Sequence, residues 1–123
     1  MSDYTYDATI LNIVDGDTVD ADIDLGFDIH QKTRFRLYGI NAPEVHSKDA
    51  AEKAAGLKAK DYLTKLIGGK RVVIETIKDE TEKYGRYLAK IQIANKEANS
   101  FLNVNDDMVK AGYAKPYFGG KRT

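Results

Sequence analysis

At 123 residues, with 42% hydrophobic and 31% charged side chains and only two prolines, the chain reads as one soluble globular domain spanning residues 1–123, not a disordered or collagen-like polymer. No apolar run approaches the roughly 18 residues of a membrane-spanning helix, and the absence of cysteine excludes disulfides, thiolate zinc sites and cysteine nucleophiles, so any metal must rest on oxygen or histidine. The net charge of zero conceals a split, because residues 1–30 carry eight aspartates and no lysine or arginine, whereas residues 31–123 carry 19 basic against 11 acidic side chains. That split suits a cation-attracting front and a phosphate-attracting remainder, and it equally suits ordinary variation along a solvated surface.

The first six residues, Met1 to Tyr6, have neither the basic nor the apolar region of a secretory signal, which makes a cytoplasmic location the expectation. Apolar residues mixed with Thr and Asn predict a first strand over Tyr6–Val14, and Asp15-Gly16 is a turn signal leading into a second. That second strand, Thr18–Leu25, alternates: Val19, Ala21, Ile23 and Leu25 take one face and Asp20, Asp22 and Asp24 the other, where they are expected to be solvated. Thr33–Ile40 alternates again, with Phe35 and Leu37 opposite Arg34, Arg36 and Tyr38, until Pro43 ends it. Over Ser47–Ile67 the period becomes helical: Ala55, Ala59, Tyr62, Leu63 and Leu66 define an apolar stripe, Ser47 is the expected N-cap, and Gly68-Gly69 stops the helix.

Two further β-rich runs, Arg71–Ile77 and Arg86–Ile93, flank the polar segment 78–85. A short second helix is expected from Asn105 as N-cap, Asp106 and Asp107 in the first turn, Val104 stapled to Val109, and Gly112 at the C-terminus. Three strands, a helix, two strands and a helix predict a mainly β, α+β fold: a five-stranded, partly open OB-type Greek-key barrel with two helices. An unrelated α+β sheet would show the same order of elements.

Chemistry-bearing residues fall in three clusters. Asp15-Gly16-Asp17-Thr18 sets two carboxylates beside a glycine, as a hard cation with oxygen ligands requires, although Asp-Gly is equally the signal of a plain hairpin turn. The run Asp20, Asp22, Asp24 is not an EF-hand loop, since that frame places Leu25 at its sixth position and Gln31 at its twelfth where Gly and Glu are needed. In the second cluster, Arg34 to Glu44, Arg36 projects from a stiff strand and is expected to stay wet, free for forked hydrogen bonds to a phosphate or paired with an aspartate. Asn41 and Glu44 flank Pro43 in a rigid bend where an amide carbonyl, the Ala42 backbone carbonyl and a carboxylate can converge. Lys83-Tyr84-Gly85-Arg86 is a corner with two cations and an aromatic ring, suited to phosphate binding and base stacking or to solvent alone. His30 and His46 have no ligand or triad partner at a recognisable spacing and read as surface or packing residues.

Together, Val14-Asp-Gly-Asp-Thr-Val19, Phe35-Arg-Leu through Ala-Pro-Glu44, Lys83-Tyr-Gly-Arg86 with Leu88-Ala89, and Val104-Asn105 leading to Ala111-Gly112-Tyr-Ala-Lys115 resemble the staphylococcal nuclease family across residues 7–117. The resemblance implies an OB-type barrel that hydrolyses phosphodiester bonds of DNA and RNA with Ca2+, preferring single-stranded or denatured substrate, acting as a monomer away from membranes. Carried over by motif, Asp17 is a metal ligand, Asn41 stands where the family usually has a second aspartate ligand, and Ala42 offers its backbone carbonyl. Glu44 matches the carboxylate that orients and deprotonates the attacking water, and Arg36 and Arg86 match the arginines that hold the scissile phosphate. Lys83 and Tyr84 match positions bordering the bound nucleotide, as Tyr117 does approximately. The neutral amide of Asn41 implies weaker Ca2+ binding and a choice of metal relaxed toward Mg2+ or Mn2+. A barrel that grips nucleic acid or peptide after losing catalysis is the alternative the same motifs allow, and only Asn41 favours it.

Overall fold

The computed structural model describes residues 4–81, 87–95 and 100–117, with the backbone alone for 78–81 and 95. Within them the chain forms β1 (Thr5–Asp15), β2 (Thr18–Asp24), β3 (His30–Leu37), β4 (Ile40–Asn41), α1 (Ala50–Ile67), β5 (Arg71–Thr81), β6 (Tyr87–Asn95), β7 (Ser100–Asn103), α2 (Val104–Lys110) and β8 (Lys115–Pro116). The main sheet runs β3-β2-β1-β5-β6-β7, and a parallel pairing of β3 with β6 closes β1, β2, β3, β5 and β6 into a five-stranded barrel. This is the OB-type barrel the pattern predicts, with β4 and β8 forming a separate two-stranded ribbon.

One strand, β1, serves both neighbours. Its first half pairs with β5 through Thr5–Thr9, and residues 7–15 pair with β2. The register to β2 skips Leu11 and Val14, two irregularities of the kind that bend a strand and let a sheet curl into a barrel. Inward alternation fills the interior with Ala8, Ile10 and Ile13 of β1, Val19, Ala21 and Ile23 of β2, Phe35 and Leu37 of β3, Val72 and Ile74 of β5, and Ala89 and Ile91 of β6. Ala59, Leu63 and Ile67 of α1 and Val104 and Met108 of α2 complete the core.

Several boundaries differ from the pattern for physical reasons. The third strand starts at His30 and stops at Leu37, because Gly39 (φ +82°) turns the chain and Ile40–Asn41 pairs instead with Lys115–Pro116. Helix α1 begins at Ala50, capped by Asp49, whose carboxylate accepts from Ala51 N at 2.9 Å; Ser47, the expected cap, instead accepts from Asp49 N. Ala55 is exposed and Gly56 is buried in its place on the helix face. Leu25, expected inward, leaves the barrel with Phe27 and Ile29 at the exposed β2–β3 tip. The outward aspartates are partly exposed, as expected, and also paired: Arg34 Nε lies 2.7 Å from Asp20, His30 3.4 Å from Asp22, and Arg71 3.6 Å from Asp24. The Arg34 hydrogen bond holds the Asp20 carboxyl below the usual carboxylate range.

The cap of α2 is Asn103, whose side chain accepts from Asp106 N, so Asn105 is inside the helix and buried at 3% exposure. Its Nδ2 donates to Tyr38 O (2.8 Å) and Ala89 O (3.0 Å), and its Oδ1 accepts from Ile91 N (3.1 Å). One amide thus ties α2 to β6 and to the turn after β3. With the cap moved, Val104 is no staple but a core residue beside Met108, while Gly112 (φ +85°) follows the C-cap Ala111.

Two glycines set how closely α1 approaches the rest. A Cβ on Gly16, in the β1–β2 turn, would lie 2.7 Å from the Ala59 Cβ and 3.0 Å from the Ala42 Cβ. A Cβ on Gly56 would lie 2.6 Å from the carbonyl carbon of Glu44 and 2.9 Å from Val45 N. Separations this short leave no room for a side chain at either glycine, so the turn rests on Ala59 of the helix and the Glu44–Val45 peptide rests on the helix backbone at Gly56.

Gly56→Ala should therefore destabilise the protein by about 1–3 kcal/mol through overpacking, although alanine in a helix ordinarily gains about 1 kcal/mol over glycine. Urea unfolding of the variant measures this, and a gain in stability would show that the loop has room to move. A second expectation concerns Tyr62, which donates to Asp107 Oδ2 at 2.5 Å and stacks on Tyr113. That hydrogen bond, burial and the Asp107 charge push the Tyr62 hydroxyl up from 10.0 to about 12. A raised folded value stabilises the protonated form, so the contribution is complete below pH 10 and disappears as pH climbs toward 12. Tyr62→Phe should cost about 1.5–3 kcal/mol near neutral pH, and the gap between the two proteins, followed by unfolding at stepped pH, should close across that alkaline window.

Candidate active site

At the end of the barrel covered by α1, the β1–β2 turn meets the loop that follows β4. Asp17 is 7% exposed, and each of its carboxylate oxygens has one protein donor: Thr18 Oγ1 to Oδ1 at 3.0 Å and Ala42 N to Oδ2 at 2.8 Å. Asp15 Oδ1 accepts from Val45 N at 3.1 Å. The two carboxylates of one turn therefore hold the loop on either side of Pro43 and Glu44, and Gly56 supports it from beneath. Asp15, read from sequence as a candidate cation carboxylate, and Gly56, which no motif included, are the residues that position this loop. The spacing Asp15-Gly16-Asp17 contained the signal for the first, and a glycine on the buried side of an amphipathic helix was the signal for the second.

Arg36 enters this junction from β3, where it pairs with Thr18 on one side and Leu88 on the other. Its side chain is 12% exposed, so it is not the wet guanidinium expected from strand alternation. The arginine turns back along the chain: NH1 donates to Leu37 O (3.1 Å) and Ile40 O (2.8 Å), and NH2 donates to Asn41 Oδ1 (3.0 Å) with Asp17 Oδ2 3.7 Å away. These bonds use at most three of the five N–H groups of the guanidinium. Tyr117 completes the setting. Its N–H donates to Gly39 O at 2.8 Å, and its ring lies 5.6 Å from the guanidinium carbon, a cation–π distance.

Of the residues singled out from sequence, the structure brings together Asp17, Arg36, Asn41, Ala42 and Tyr117. Glu44 is two residues farther along the same loop, its carboxylate exposed and without a hydrogen bond or ion pair to any described residue. Lys83, Tyr84 and Arg86 lie outside the described residues, as does the tail at 118–123. His46 is exposed and His30 belongs to the Asp22 pair, away from this end of β3.

The donor set can be tested against a divalent cation. Among the described residues, each Asp17 oxygen has one hydrogen-bond donor and the Asn41 carbonyl has one, which leaves each a further lone-pair site, so hard oxygen donors of the right kind are present. Only one of them is charged, and among the described residues no group of three or more carboxylate or imidazole side chains converges. The set fits a cation held loosely, with much of its coordination left to water or substrate.

What the arrangement can do chemically is hold an anion with a preset guanidinium beside a carboxylate-bearing loop, where burial of Arg36 and Asp17 leaves their charges poorly screened. The chain is 31% identical to an uncharacterized protein of Methanocaldococcus jannaschii, over 91% of this chain and 59% of that one. It is 34% identical to the endonuclease YhcR of Bacillus subtilis over 92% of this chain and 9% of that protein, and 24% identical to the thermonuclease of Staphylococcus hyicus over 89% and 61%. The chain thus spans about three-fifths of two of these relatives and under a tenth of the third. Residues 34–123, which include Arg36, Asn41 and Glu44, match the family described as staphylococcal nuclease homologue, and the chain belongs to that family.

Proposed function

We propose that the protein is a nuclease that hydrolyses phosphodiester bonds of DNA and RNA, favouring single strands, with a divalent cation as cofactor. The observation that carries this reading is the guanidinium of Arg36, held by three acceptors at 2.8–3.1 Å beside Asp17 and pointing into the junction from which the Glu44 loop departs. A phosphodiester is an anion that repels an incoming oxygen nucleophile, so its hydrolysis needs fixed positive charge on the non-bridging oxygens and a base for the water. Arg36 supplies the first from a site whose geometry is set before substrate arrives. Glu44, exposed at the loop apex, is the base: it orients the water and takes its proton at the carboxylate. Arg86 is assigned by its motif to the phosphate as well, and Lys83, Tyr84 and Tyr117 to the flanking nucleotide, where aromatic rings stack on bases.

Asp17, the Asn41 amide oxygen and the Ala42 carbonyl would hold the cation, Ca2+ first and Mg2+ or Mn2+ as substitutes. Bound there, it would polarise the phosphate oxygens and lower the charge facing the nucleophile. Asp17 has a second duty in the same place, since its bond to Ala42 N fixes the loop that carries Glu44.

Incubating the protein with heat-denatured DNA in millimolar Ca2+, and in parallel with a chelator, tests the reading. Cleavage should require the cation, and Glu44→Gln should lower turnover by about 10²-fold or more. Arg36→Lys, which keeps the charge and loses the planar fork, should lower turnover by about 10²–10³-fold. Wild-type cleavage no faster than that of Glu44→Gln under any of the three metals would leave a binding module as the function.

A further inference from the structure

We infer that Asn41 is a positioning residue for Arg36, and that this junction in consequence takes up a nucleic-acid phosphate without first requiring a divalent cation. The inference rests on the reading of the junction as a phosphate site and concerns how that site is regulated by metal.

Its starting point is the 3.0 Å hydrogen bond from Arg36 NH2 to Asn41 Oδ1. Backbone carbonyls of Leu37 and Ile40 already take NH1, so the Asn41 amide fixes the second nitrogen and with it the plane of the guanidinium. Arg36 and Asn41 sit at the two ends of the Gly39 turn, and β8 pins the far end, Asn41 pairing with Lys115. The acceptor and the donor are therefore both on backbone that cannot drift. At least two N–H groups of the guanidinium, the Nε–H and one on NH2, are without a hydrogen bond to a described residue, and N–H groups of this kind are donors for phosphate oxygens.

Charge decides what that geometry means. Beside the Arg36 guanidinium the described residues place the Asp17 carboxylate, 3.7 Å away, both about nine-tenths buried, and that pair is neutral. An aspartate at position 41 would add a second negative charge beside the arginine. A phosphate anion would then be admitted only once a cation had offset the surplus, and cation and phosphate would bind cooperatively. With asparagine the same oxygen position carries no charge, so an arriving phosphate meets a balanced pair with donors to spare. Coupling between two ligands is reciprocal, so the same substitution that frees phosphate from the cation also weakens the cation's hold in the absence of phosphate.

The test measures binding, not cleavage. Fluorescence anisotropy of a labelled single-stranded oligonucleotide is recorded with the Glu44→Gln protein, in a chelator and in millimolar Ca2+, with Ca2+ binding followed separately by calorimetry. The expected Kd in chelator lies within about threefold of the Kd in Ca2+. Introducing Asn41→Asp in the same background should weaken oligonucleotide binding in chelator by about tenfold or more, a coupling of at least about 1.4 kcal/mol, and Ca2+ should restore it while itself binding more tightly. Asn41→Ala, neutral but unable to hold Arg36, should weaken oligonucleotide binding to a similar extent with and without Ca2+.

Tenfold or greater strengthening by Ca2+ with asparagine in place would overturn the inference and leave the nuclease reading standing. So would unchanged binding in Asn41→Ala, which would make the amide a spare ligand with no hold on the arginine. No oligonucleotide binding in either condition would remove the phosphate site and the inference together. The comparison of chelator with Ca2+ needs no substitution at position 41, so it stands even if those variants fold poorly.

Discussion

Backbone-to-backbone approach at small side chains is the constraint on which the site depends. Gly16 sits against Ala59 and Ala42, and Gly56 sits against the peptide joining Glu44 and Val45, at separations that leave no room for one more carbon. Only at that distance can carboxylates as short as those of Asp15 and Asp17 reach Val45 N and Ala42 N across the gap. Were the turn lifted off the helix by the width of a methyl group, both bonds would open and the loop would lose its two fixed points together. The helix therefore does more than close the barrel: it is the floor against which a turn and a loop, far apart in sequence, are held in register.

Asp17 shows how folding and chemistry share one group. A carboxylate this buried is tolerated only with donors around it, and it has a hydroxyl, a peptide N–H and a nearby guanidinium. Removing it would leave Arg36 as a buried charge with neutral acceptors only, which costs far more than the loss of one surface ion pair. The same carboxylate that a cation would need is thus required by the loop and by the arginine, and any loss of activity on its replacement mixes the three roles. Asn41 contributes an acceptor to the arginine without adding charge, so the Asp17–Arg36 pair stays balanced.

Most of the barrel was legible in the sequence because its strands are buried on one face and alternate accordingly. Val19, Ala21 and Ile23, then Phe35 and Leu37, fall inward as their parity predicts. What escaped is structure made by pairing rather than by pattern. The β4–β8 ribbon is two residues long on each side, too short for any periodicity, and exists because Tyr117 N and Gly39 O also bond there. Caps were misplaced where two candidates stood close together: Ser47 against Asp49, and Asn105 against Asn103. In each case the true cap reaches a free amide two or three residues on, while the rejected residue has another partner. Asn105 was the more instructive, since a polar residue between buried Val104 and the buried Met108 belongs to the packed face and must find acceptors inside the protein. At the site, residue identities were legible and the environment was not. Strand alternation placed Arg36 outside the barrel correctly, but it could not foresee that the β4 turn folds over it and takes its donors.

The charge split along the chain also acquires a different meaning in three dimensions. Aspartates crowd the first 30 residues and basic side chains the remainder, and the barrel lays these stretches side by side. Asp20 meets Arg34, Asp24 and Asp7 meet Arg71, and Asp17 meets Arg36. The acidic front is largely occupied by its own protein rather than held in reserve for cations. Exposed pairs of this kind contribute about 0–1 kcal/mol each, so their value is less in stability than in register: a shift of β2 against β3 by one residue would take each aspartate off its partner and turn apolar residues outward. Correct register of that hairpin is also what brings Arg36 level with Thr18, one residue past Asp17, on the adjoining strand. The ladder of outer pairs and the buried pair at its end are one alignment, seen first in solvent and then in the site.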